Sequence, residues 1–323
     1  VETRSQAALG TWVTITLPKT ADDSDDRNLD DALDLVDQLE AVLSTHSAEA
    51  EAARLNDAPA GEPVRVSEPL YAAIEAGVKW HEQSGGAFDI TIRPLLAVWR
   101  RAGAQKALPS EQALAEARAL VGADRLLLDP EKRTVAIPEE EMRIDLGGLG
   151  KGFIADRVAD LLQKRGIESA LIAMAGDIRA IGRRPGGKPW RVGIQDPRDP
   201  NNPRALITVL ELTDRSVSTS GNYQRYVEID ARRYSHIVDP RTGRPADDVP
   251  SVTVIGPDAL TTDILGTVFS VLGVEEGMRT VESMPEIEAL FVTFDDAGEL
   301  ELTRSEGFRK FEATRDTPTD YRK

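Results

Sequence analysis

The chain has 323 residues, 41% of them hydrophobic and none of them cysteine, and it carries a formal net charge of −16 at pH 7. The length allows a large buried core in one domain or two, and the missing cysteines exclude disulfides and thiolate metal sites. The excess of acidic residues argues against nucleic acid and anionic membrane surfaces as general partners, and it means that a phosphate ligand would need local cations.

Patterns of apolar residues predict the elements of the first part of the chain. Alternation of polar and apolar residues is typical of strands, and apolar residues three or four apart are typical of helices. The predicted elements are a strand over residues 9–17, a helix whose apolar face carries Leu29, Leu33, Val36, Leu39 and Leu43, a helix over 68–81, a helix capped by Ser110, and a hairpin over 126–128 and 134–137.

The loop over residues 84–91 contains two glycines, an aromatic residue and Asp89. Such a turn can present its backbone and a carboxylate to a ligand. Asp89 can equally cap the following turn together with Thr91, and the local sequence leaves both possibilities open.

A glycine-rich stretch over residues 143–155 is the clearest candidate for a ligand site. A predicted strand over 142–146 runs into glycines at 147, 148, 150 and 152, and a helix follows with apolar residues at helical spacing. Glycines expose backbone N–H groups, and the start of a helix directs those groups and the positive end of its dipole at an anion. The stretch therefore predicts a phosphate-bearing ligand, and the alternative is a tight turn inside a core.

Two known phosphate motifs were tested on this stretch. A P-loop is excluded, because Asp145 stands where its first glycine is needed and Gly152 stands where it needs Ser or Thr. A dinucleotide-binding Rossmann fingerprint can be placed on Gly150, Gly152 and Ala155, with Asp177 as its acidic residue. Residues 147–149 separate that fingerprint from the predicted strand, although the Rossmann fold needs the strand to lead directly into the first glycine, so it is the weaker alternative.

The second half of the chain mixes strands and helices. It contains no internal repeat and no low-complexity linker, which favours one compact α+β body. The predicted elements are strands over 170–174, 190–194 and 206–212, a hydroxyl-rich strand end at 216–223, a short strand that carries His236, helices over 259–272 and 275–283, and a hairpin over 289–294 and 299–303.

His236 is followed by an Asp-Pro-x-Thr-Gly turn that ends its predicted strand. A histidine beside arginines and an aspartate is a reasonable proton-transfer group. The alternative is a histidine that is hydrogen-bonded within a sheet.

The helix over 259–272 is apolar on nearly every side, so it is expected to be buried. Asp263 and Thr267 nevertheless lie four residues apart on one face of it. A buried carboxylate needs a cation, and a carboxylate with a hydroxyl suits Mg²⁺. The alternative is an ion pair between Asp263 and an arginine.

Taken together, seven motifs in this order resemble the ApbE family, the FAD:protein FMN transferases. They are Leu9-Gly10-Thr11-Trp12, Gly86-Ala87-Phe88-Asp89 with Thr91, Asp145–Gly152 with Asp156, Ala175-Gly176-Asp177-Ile178, Ser220-Gly221-Asn222-Tyr223, Ser235–Gly243 around His236, and Thr262-Asp263 with Thr267. The chain differs from the usual family pattern in having Leu9 for Met, Gly150 for the common Ala, and Ala175 for the first of two glycines.

The resemblance implies an ApbE-like, T-fold-like body of two similar α+β subdomains with mixed or antiparallel sheets, spanning residues 5–312, with a polar, disordered tail over 313–323. It implies that FAD binds with Mg²⁺ at its pyrophosphate. The implied metal ligands are the Gly150 carbonyl, the Asp263 carboxylate and the Thr267 hydroxyl. The implied flavin-binding residues are Leu9, His46, Ala87, Phe88, Asp89, Gly147, Lys151, Phe153 and Ile237.

The resemblance further implies transfer of FMN from FAD to a Ser or Thr hydroxyl of an acceptor protein, with release of AMP. His236 is the candidate for proton transfer and Asp263 the competing base. The acceptor is expected to carry an Asp-x-x-Ser/Thr-Gly-Ala-Ser/Thr motif. Alternatives are an FAD pyrophosphatase that releases FMN and AMP, and a flavin-binding or carrier protein without turnover.

Family members usually act outside the cytoplasmic membrane and are often lipoproteins. The resemblance therefore implies a periplasmic location, with a lipid-bearing N-terminal cysteine removed from the sequence.

Overall fold

A computed structural model describes residues 1–19, 24–221, 226–230 and 232–314. Two predictions lie partly outside these ranges: Asn222 and Tyr223 of the hydroxyl-rich motif, and nearly all of the expected tail over 313–323.

The described residues form strands and helices that are intermixed along the chain. The strands are β1 (Glu2–Ala8), β2 (Thr11–Leu17), β3 (Val64–Arg65), β4 (Leu127–Asp129), β5 (Thr134–Ala136), β6 (Ala170–Met174), β7 (Asp177–Ile181), β8 (Trp190–Gln195), β9 (Leu206–Leu212), β10 (Ser216–Gly221), β11 (Tyr226–Ile229), β12 (Arg232–Ser235), β13 (Ser251–Gly256), β14 (Glu288–Phe294) and β15 (Leu300–Arg304). The α-helices are α1 (Ser24–Leu43), α2 (Glu51–Asn56), α3 (Glu68–Gln83), α4 (Arg93–Gln105), α5 (Glu111–Ala119), α6 (Gly150–Lys164) and α7 (Ala259–Glu282).

An eight-stranded sheet organises the molecule, with strand order β1-β2-β6-β7-β10-β13-β14-β15. Every pairing between its strands is antiparallel. This confirms the α+β class with antiparallel sheets in one compact body. It also makes the Rossmann hypothesis wrong, because that fold requires a mostly parallel sheet.

The sheet has a separate core on each face. On one face, α1, α6 and α7 contribute to the larger cluster of buried apolar side chains, whose members include Val36, Ile154 and Phe269. On the other face, the β8–β9 hairpin and a short 3-10 helix (Phe308–Phe311) enclose a second cluster around Trp190 and Phe308. Strand β13 lies between the two cores, and all six of its residues are buried.

A third, smaller cluster joins α4 and α5 to the β11–β12 hairpin. The rings of Trp99 and Tyr234 lie 5.4 Å apart, and the Trp99 indole N–H donates to the Gly243 carbonyl oxygen. This cluster holds the segment after His236 against the helices.

Most of the predicted elements are confirmed. Helix α1 buries all five residues of the predicted apolar face, and Ser110 caps α5 through a bond from the Ala113 amide. Helix α7 contains a break at Gly273, whose φ is 75°, so the predicted division into two helices is also correct.

Several elements were not predicted, and two predictions are wrong: the strand over 142–146, and the placement of His236 on a strand, since β12 ends at Ser235. Strand β1 is a polar edge strand with no apolar alternation, and α2, α4 and β13 were also missed. The predicted strand over 142–146 is an irregular segment with a single bridge between Arg143 and Ile92. At Ile144 a side chain takes the place of a partner strand, because Asn56 donates to the Ile144 carbonyl and accepts from the Ile144 amide, while the Asp145 amide donates to the Ile90 carbonyl.

Among the helices of the described ranges, none combines the length and the apolar composition that a membrane crossing requires.

Candidate functional site

The glycine-rich stretch forms a tight turn that leads directly into α6. Asp145 Oδ1 accepts from the Gly147 amide at 2.9 Å, and the Leu146 carbonyl accepts from the Gly150 amide at 2.8 Å. The predicted helix is present, but it begins at Gly150, so Gly150 and Gly152 belong to its first turn instead of preceding it. The turn is thus shaped by its own first carboxylate and by the first bonds of the helix.

The glycines of this turn serve two different purposes. A Cβ on Gly152 would lie 2.3 Å from the Ala259 carbonyl oxygen and 2.8 Å from Asp263 Cβ. A Cβ on Gly148 would lie 3.0 Å from the Phe88 ring and 3.6 Å from Thr267 Oγ1. Around Gly150, in contrast, a Cβ would meet nothing within 4 Å. Gly148 and Gly152 therefore permit the close approach of α7, while Gly150 borders open space.

Asp263 is buried against this turn, with 4% of its surface exposed. Its Oδ2 accepts from the Gly152 amide at 2.9 Å, and its Oδ1 lies 3.3 Å from Lys151 Nζ. Lys151 Nζ also lies 2.7 Å from Oδ2 of Asp177, which is equally buried. The cation beside Asp263 is therefore a lysine of the turn itself, and not the arginine that was considered as an alternative.

Two buried carboxylates share one ammonium group, which leaves an excess of negative charge. Burial and the neighbouring charge of Asp177 raise the pKa of Asp263 to about 7, against the opposing effects of Lys151 and the Gly152 amide. Burial disfavours the charged form of Lys151, but the two carboxylates outweigh it and raise the pKa of the ammonium group. A further positive charge at this place would be stabilised.

Thr267 follows Asp263 by one helical turn and is half-buried. Its hydroxyl makes no hydrogen bond to any residue in the described ranges, whereas Ser270 on the same helix donates to the Gly266 carbonyl at 2.7 Å. A hydroxyl that does not bond to its own helix remains available to a ligand.

These donors fit a hard divalent cation. No group of three or more His, Cys, Asp or Glu side chains within the described part of the chain is arranged to hold a metal. A carboxylate, a free hydroxyl and a backbone carbonyl at an open turn nevertheless form an all-oxygen set of the kind that Mg²⁺ accepts together with substrate phosphates.

Phe88, Ala87 and Phe153 lie at the same corner of the molecule. Phe88 and Ala87 are buried, and the Phe88 ring packs on Gly148. Phe153 follows the turn on α6, with the Arg157 guanidinium 4.9 Å from its ring centroid. The glycine-rich turn, the 84–91 loop and α7 therefore meet, as expected for parts of one site.

The Asp89 carboxylate is fully engaged within the protein. Its Oδ1 accepts from the Thr91 amide at 2.7 Å and the Thr91 hydroxyl at 2.6 Å, and its Oδ2 accepts from the Ala123 amide at 3.1 Å. His81 Nδ1 lies 2.9 Å from the same Oδ2. The Asp89 carboxylate therefore caps the turn at Thr91, which is the alternative that the sequence left open. A contact between Asp89 and a flavin stays a prediction, and the Asp89 backbone is a better candidate for it than the side chain.

Leu9 and His46 lie in turns at the edges of this region. Leu9 and Gly10 form a two-residue hairpin turn, with φ values of 56° and 68°. His46 is exposed in the loop after α1. The adjacent Thr45 bonds to Asp145 Oδ2 at 3.4 Å, so His46 lies close to the start of the glycine-rich turn.

His236 is exposed and directly follows β12, whose last residue is Ser235. The Ile237 amide donates to Ser235 Oγ at 3.0 Å, which fixes the bend. In the turn that follows, Arg241 Cγ lies 3.7 Å from the position of a Cβ on Gly86. The His236 segment therefore borders the 84–91 loop, which in turn contacts Gly148 through Phe88.

The sequence analysis did not identify Asn56, and it named Asp177 and Asp156 in motifs without the contacts that the structure shows. Asp177 holds Lys151, Asn56 fixes the backbone before the turn, and Asp156 binds the start of α7. The need of Lys151 for a counter-charge could have indicated Asp177. Nothing local to Asn56 indicates its partner.

Comparison with known proteins gives consistent results. The profile of the ApbE family matches residues 9–291. The chain is 35% identical over 260 residues to the FAD:protein FMN transferase of Klebsiella pneumoniae, covering 80% of each chain. It is 32% identical over 311 residues to the protein of the same name from Vibrio cholerae, covering 95% of this chain and 91% of that one. The crystal structure of the ApbE protein from Thermotoga maritima superimposes with a TM-score of 0.84 at 32% identity, covering 97% of this chain and 99% of that one.

Proposed function

The chain belongs to the ApbE family, and from that premise we propose that it is an FAD:protein FMN transferase. In this reaction a Ser or Thr hydroxyl oxygen of an acceptor protein attacks the FMN-side phosphorus of FAD. The bond between that phosphorus and the bridging oxygen breaks, AMP leaves with the bridging oxygen, and FMN remains ester-linked to the acceptor.

The observation that carries the proposal is the contact between the glycine-rich turn and the face of α7 that bears Asp263 and Thr267. The turn offers a helix start and open space around Gly150, where the phosphates of a dinucleotide can approach backbone donors. Lys151 adds a fixed positive charge to an otherwise acidic protein.

We assign the cation to the Asp263 carboxylate, the Thr267 hydroxyl and the Gly150 carbonyl. Mg²⁺ bound there would neutralise charge on both phosphates of FAD, which is most of what phosphoryl transfer requires. Asp177 keeps Lys151 charged and in place beside this site.

We propose His236 as the group that takes the proton from the acceptor hydroxyl. It is exposed, so a side chain on another protein can reach it. Asp263 is the less suitable base, because we assign its carboxylate to the cation, which would favour the ionised form and make it a weak proton acceptor. The flavin would contact Ala87, Phe88, Phe153 and Ile237, with Leu9, His46 and Gly147 around it.

The acceptor motif Asp-x-x-Ser/Thr-Gly-Ala-Ser/Thr and a periplasmic location with a lipid anchor are parts of the same proposal, supported by the family resemblance. The compact body explains neither, because both depend on chemistry outside the described residues.

The direct test is mass spectrometry of an acceptor fragment that carries the motif, after incubation with the protein, FAD and Mg²⁺. The expected result is a mass increase of one FMN less one water, together with one AMP for each modified fragment. AMP without any modified acceptor would indicate an FAD pyrophosphatase. Bound FAD without AMP would indicate a flavin-binding protein that has no turnover.

A further inference from the structure

The N-termini of α6 and α7 meet, and each helix caps the other. Asp263 of α7 accepts from the Gly152 amide in the first turn of α6 at 2.9 Å. Asp156 of α6 accepts from the Ala259 amide at 2.9 Å and the Leu260 amide at 2.8 Å in the first turn of α7. The two carboxylates thus form a reciprocal pair of caps between helices rather than within them.

Asp156 is not needed merely to start α7. Helix α7 has its own N-cap, since Asp258 Oδ1 accepts from the Thr261 amide at 2.7 Å. The hydrogen bonds that Asp156 accepts join the start of α7 to α6, whereas Asp258 caps only the helix that it precedes.

The junction tolerates little change in the spacing of the two helices. The Ala259 carbonyl oxygen would lie only 2.3 Å from a Cβ on Gly152, so the two backbones are already in contact. From Ala259 to Asp263 is about one helical turn, so a shift of the α7 start would move Asp263 and Thr267 with it.

Asp156 lies in an environment that disfavours the ionised form of its carboxylate. Burial raises the pKa of Asp156 to about 6, against the lowering effect of its two amide donors. Its cationic neighbour Arg179 is 3.8 Å away at Nε, too far for a hydrogen bond. The two amide bonds to α7 are therefore the main interactions that favour its ionised form.

We propose that Asp156 is a positioning residue for the cation site, which holds the start of α7 against α6 so that Asp263 and Thr267 face the glycine-rich turn. The inference rests on the proposed function, because it takes Asp263 and Thr267 to be ligands of a divalent cation. A residue that orients metal ligands in this way typically contributes a factor of about 10 to 100 in metal affinity.

The test compares Asp156→Asn with the matched control Asp258→Asn, using Mn²⁺ binding measured by the loss of the free Mn²⁺ signal in electron paramagnetic resonance. Both substitutions remove one negative charge beside the first turn of α7, but Asp258→Asn keeps the oxygen that accepts from the Thr261 amide, whereas Asp156→Asn leaves a single oxygen for two amide donors. Only Asp156→Asn is expected to weaken Mn²⁺ binding, by about 10- to 100-fold. Asp258→Asn should bind Mn²⁺ as the wild type does.

Equal Mn²⁺ affinity in the wild type and Asp156→Asn would overturn the inference and leave the proposed cation site intact. Equal losses in both variants would also overturn it, because any fraying of α7 would then suffice. If the wild type binds no Mn²⁺, or binds it unchanged after Asp263→Asn, the proposed cation site itself fails and the inference with it.

A second variant covers the case in which Asp156→Asn does not fold. Asp156→Glu keeps the charge but moves the carboxylate by one methylene, so it is expected to fold with an intermediate Mn²⁺ affinity. Wild-type affinity in Asp156→Glu would show that the carboxylate's position is unimportant, and would overturn the inference.

Discussion

Two helix N-termini meet at one junction, and only one of them faces a ligand site. At α7, Asp156 and Asp258 bind the amides of all of its first three residues. At α6, the Gly150 amide donates to the Leu146 carbonyl and the Gly152 amide donates to Asp263, whereas the Lys151 amide makes no hydrogen bond to another described residue and the space around Gly150 is open. A helix dipole alone therefore does not make a binding site, and the donors that remain accessible decide which end can bind an anion.

The largest effect is expected from a substitution that places an extra methyl group between the first turns of α6 and α7. Gly152→Ala places a methyl group 2.3 Å from the Ala259 carbonyl oxygen, which must push α7 away. We expect a loss of about 3 kcal/mol or more in the free energy of unfolding and the loss of FMN transfer. Denaturant unfolding and the transfer assay measure both.

Gly150→Ala is the matched control, because its methyl group meets nothing within 4 Å and the backbone carbonyl is retained. Stability and transfer should be unchanged or slightly higher. Similar damage from both substitutions would contradict the distinction between the closed and the open parts of the turn.

The next largest effect is expected from replacing Asp263, the buried carboxylate beside the first turn of α6. Asp263→Asn removes the negative charge that we propose binds the cation. The cation's stabilisation of the transition state is worth several kcal/mol, so the transfer rate should fall on the order of a thousandfold. Lys151 keeps its partner Asp177, so the fold should survive. Single-turnover transfer rates at increasing Mg²⁺ measure this, and a wild-type rate would remove Asp263 from the cation site.

A smaller effect on rate is expected from His236, which lies outside the junction. His236→Gly should bind FAD normally but transfer FMN about 100-fold more slowly or worse, because a proton acceptor is lost. Equilibrium FAD binding and pre-steady-state transfer separate the two properties. A wild-type transfer rate would exclude His236 from proton transfer.

A stabilising change is expected in the hairpin turn before Asp177. Ala175 has a φ of 55°, a left-handed conformation in which glycine carries no Cβ penalty. Ala175→Gly should raise the free energy of unfolding by about 1 kcal/mol, the lower end of the penalty for a left-handed residue with a Cβ. Transfer should not change, since Asp177 keeps its contact with Lys151, and lower stability would contradict the argument.

The smallest effect is a pH dependence of the free energy of unfolding, which arises from His81 beside the 84–91 loop. The Asp89 carboxylate, 2.9 Å from Nδ1, and the Asp124 carboxylate outweigh burial and raise the pKa of His81. Protonated His81 therefore stabilises the fold fully below its ordinary pKa of about 6.5, and this contribution is lost as the pH rises through the raised value. Histidine NMR titration should show it, and His81→Gln should flatten the stability profile in that window.

The sequence indicates which residues are candidates for the site at the start of α6, but it does not indicate how the junction between α6 and α7 is built. Asp263 and Thr267 could be predicted because a polar pair on one face of a buried helix is visible as a local pattern. The pairing of Lys151 with Asp177, the bonds of Asn56 to Ile144 and the crossed caps join residues that are distant in sequence. Only the tertiary approach of the elements brings them together.

The same distinction applies to the fold. Strands with apolar alternation, such as β2, and helices with one apolar face, such as α1, were predicted correctly. The edge strand β1 has polar residues at most positions, so it carries no such pattern. The segment over 142–146 has the composition of a strand, but Asn56 takes the backbone bonds that a neighbouring strand would otherwise supply.

The central claim is that the open end of α6 and the face of α7 together hold a divalent cation at the phosphates of FAD. The most direct measurement is anomalous diffraction from crystals soaked with FAD and Mn²⁺. We predict a peak about 2.1 Å from an oxygen of Asp263 and from the Thr267 hydroxyl, with the pyrophosphate against the glycine-rich turn. A peak elsewhere, with Lys151 still the only cation beside Asp263, would contradict the account.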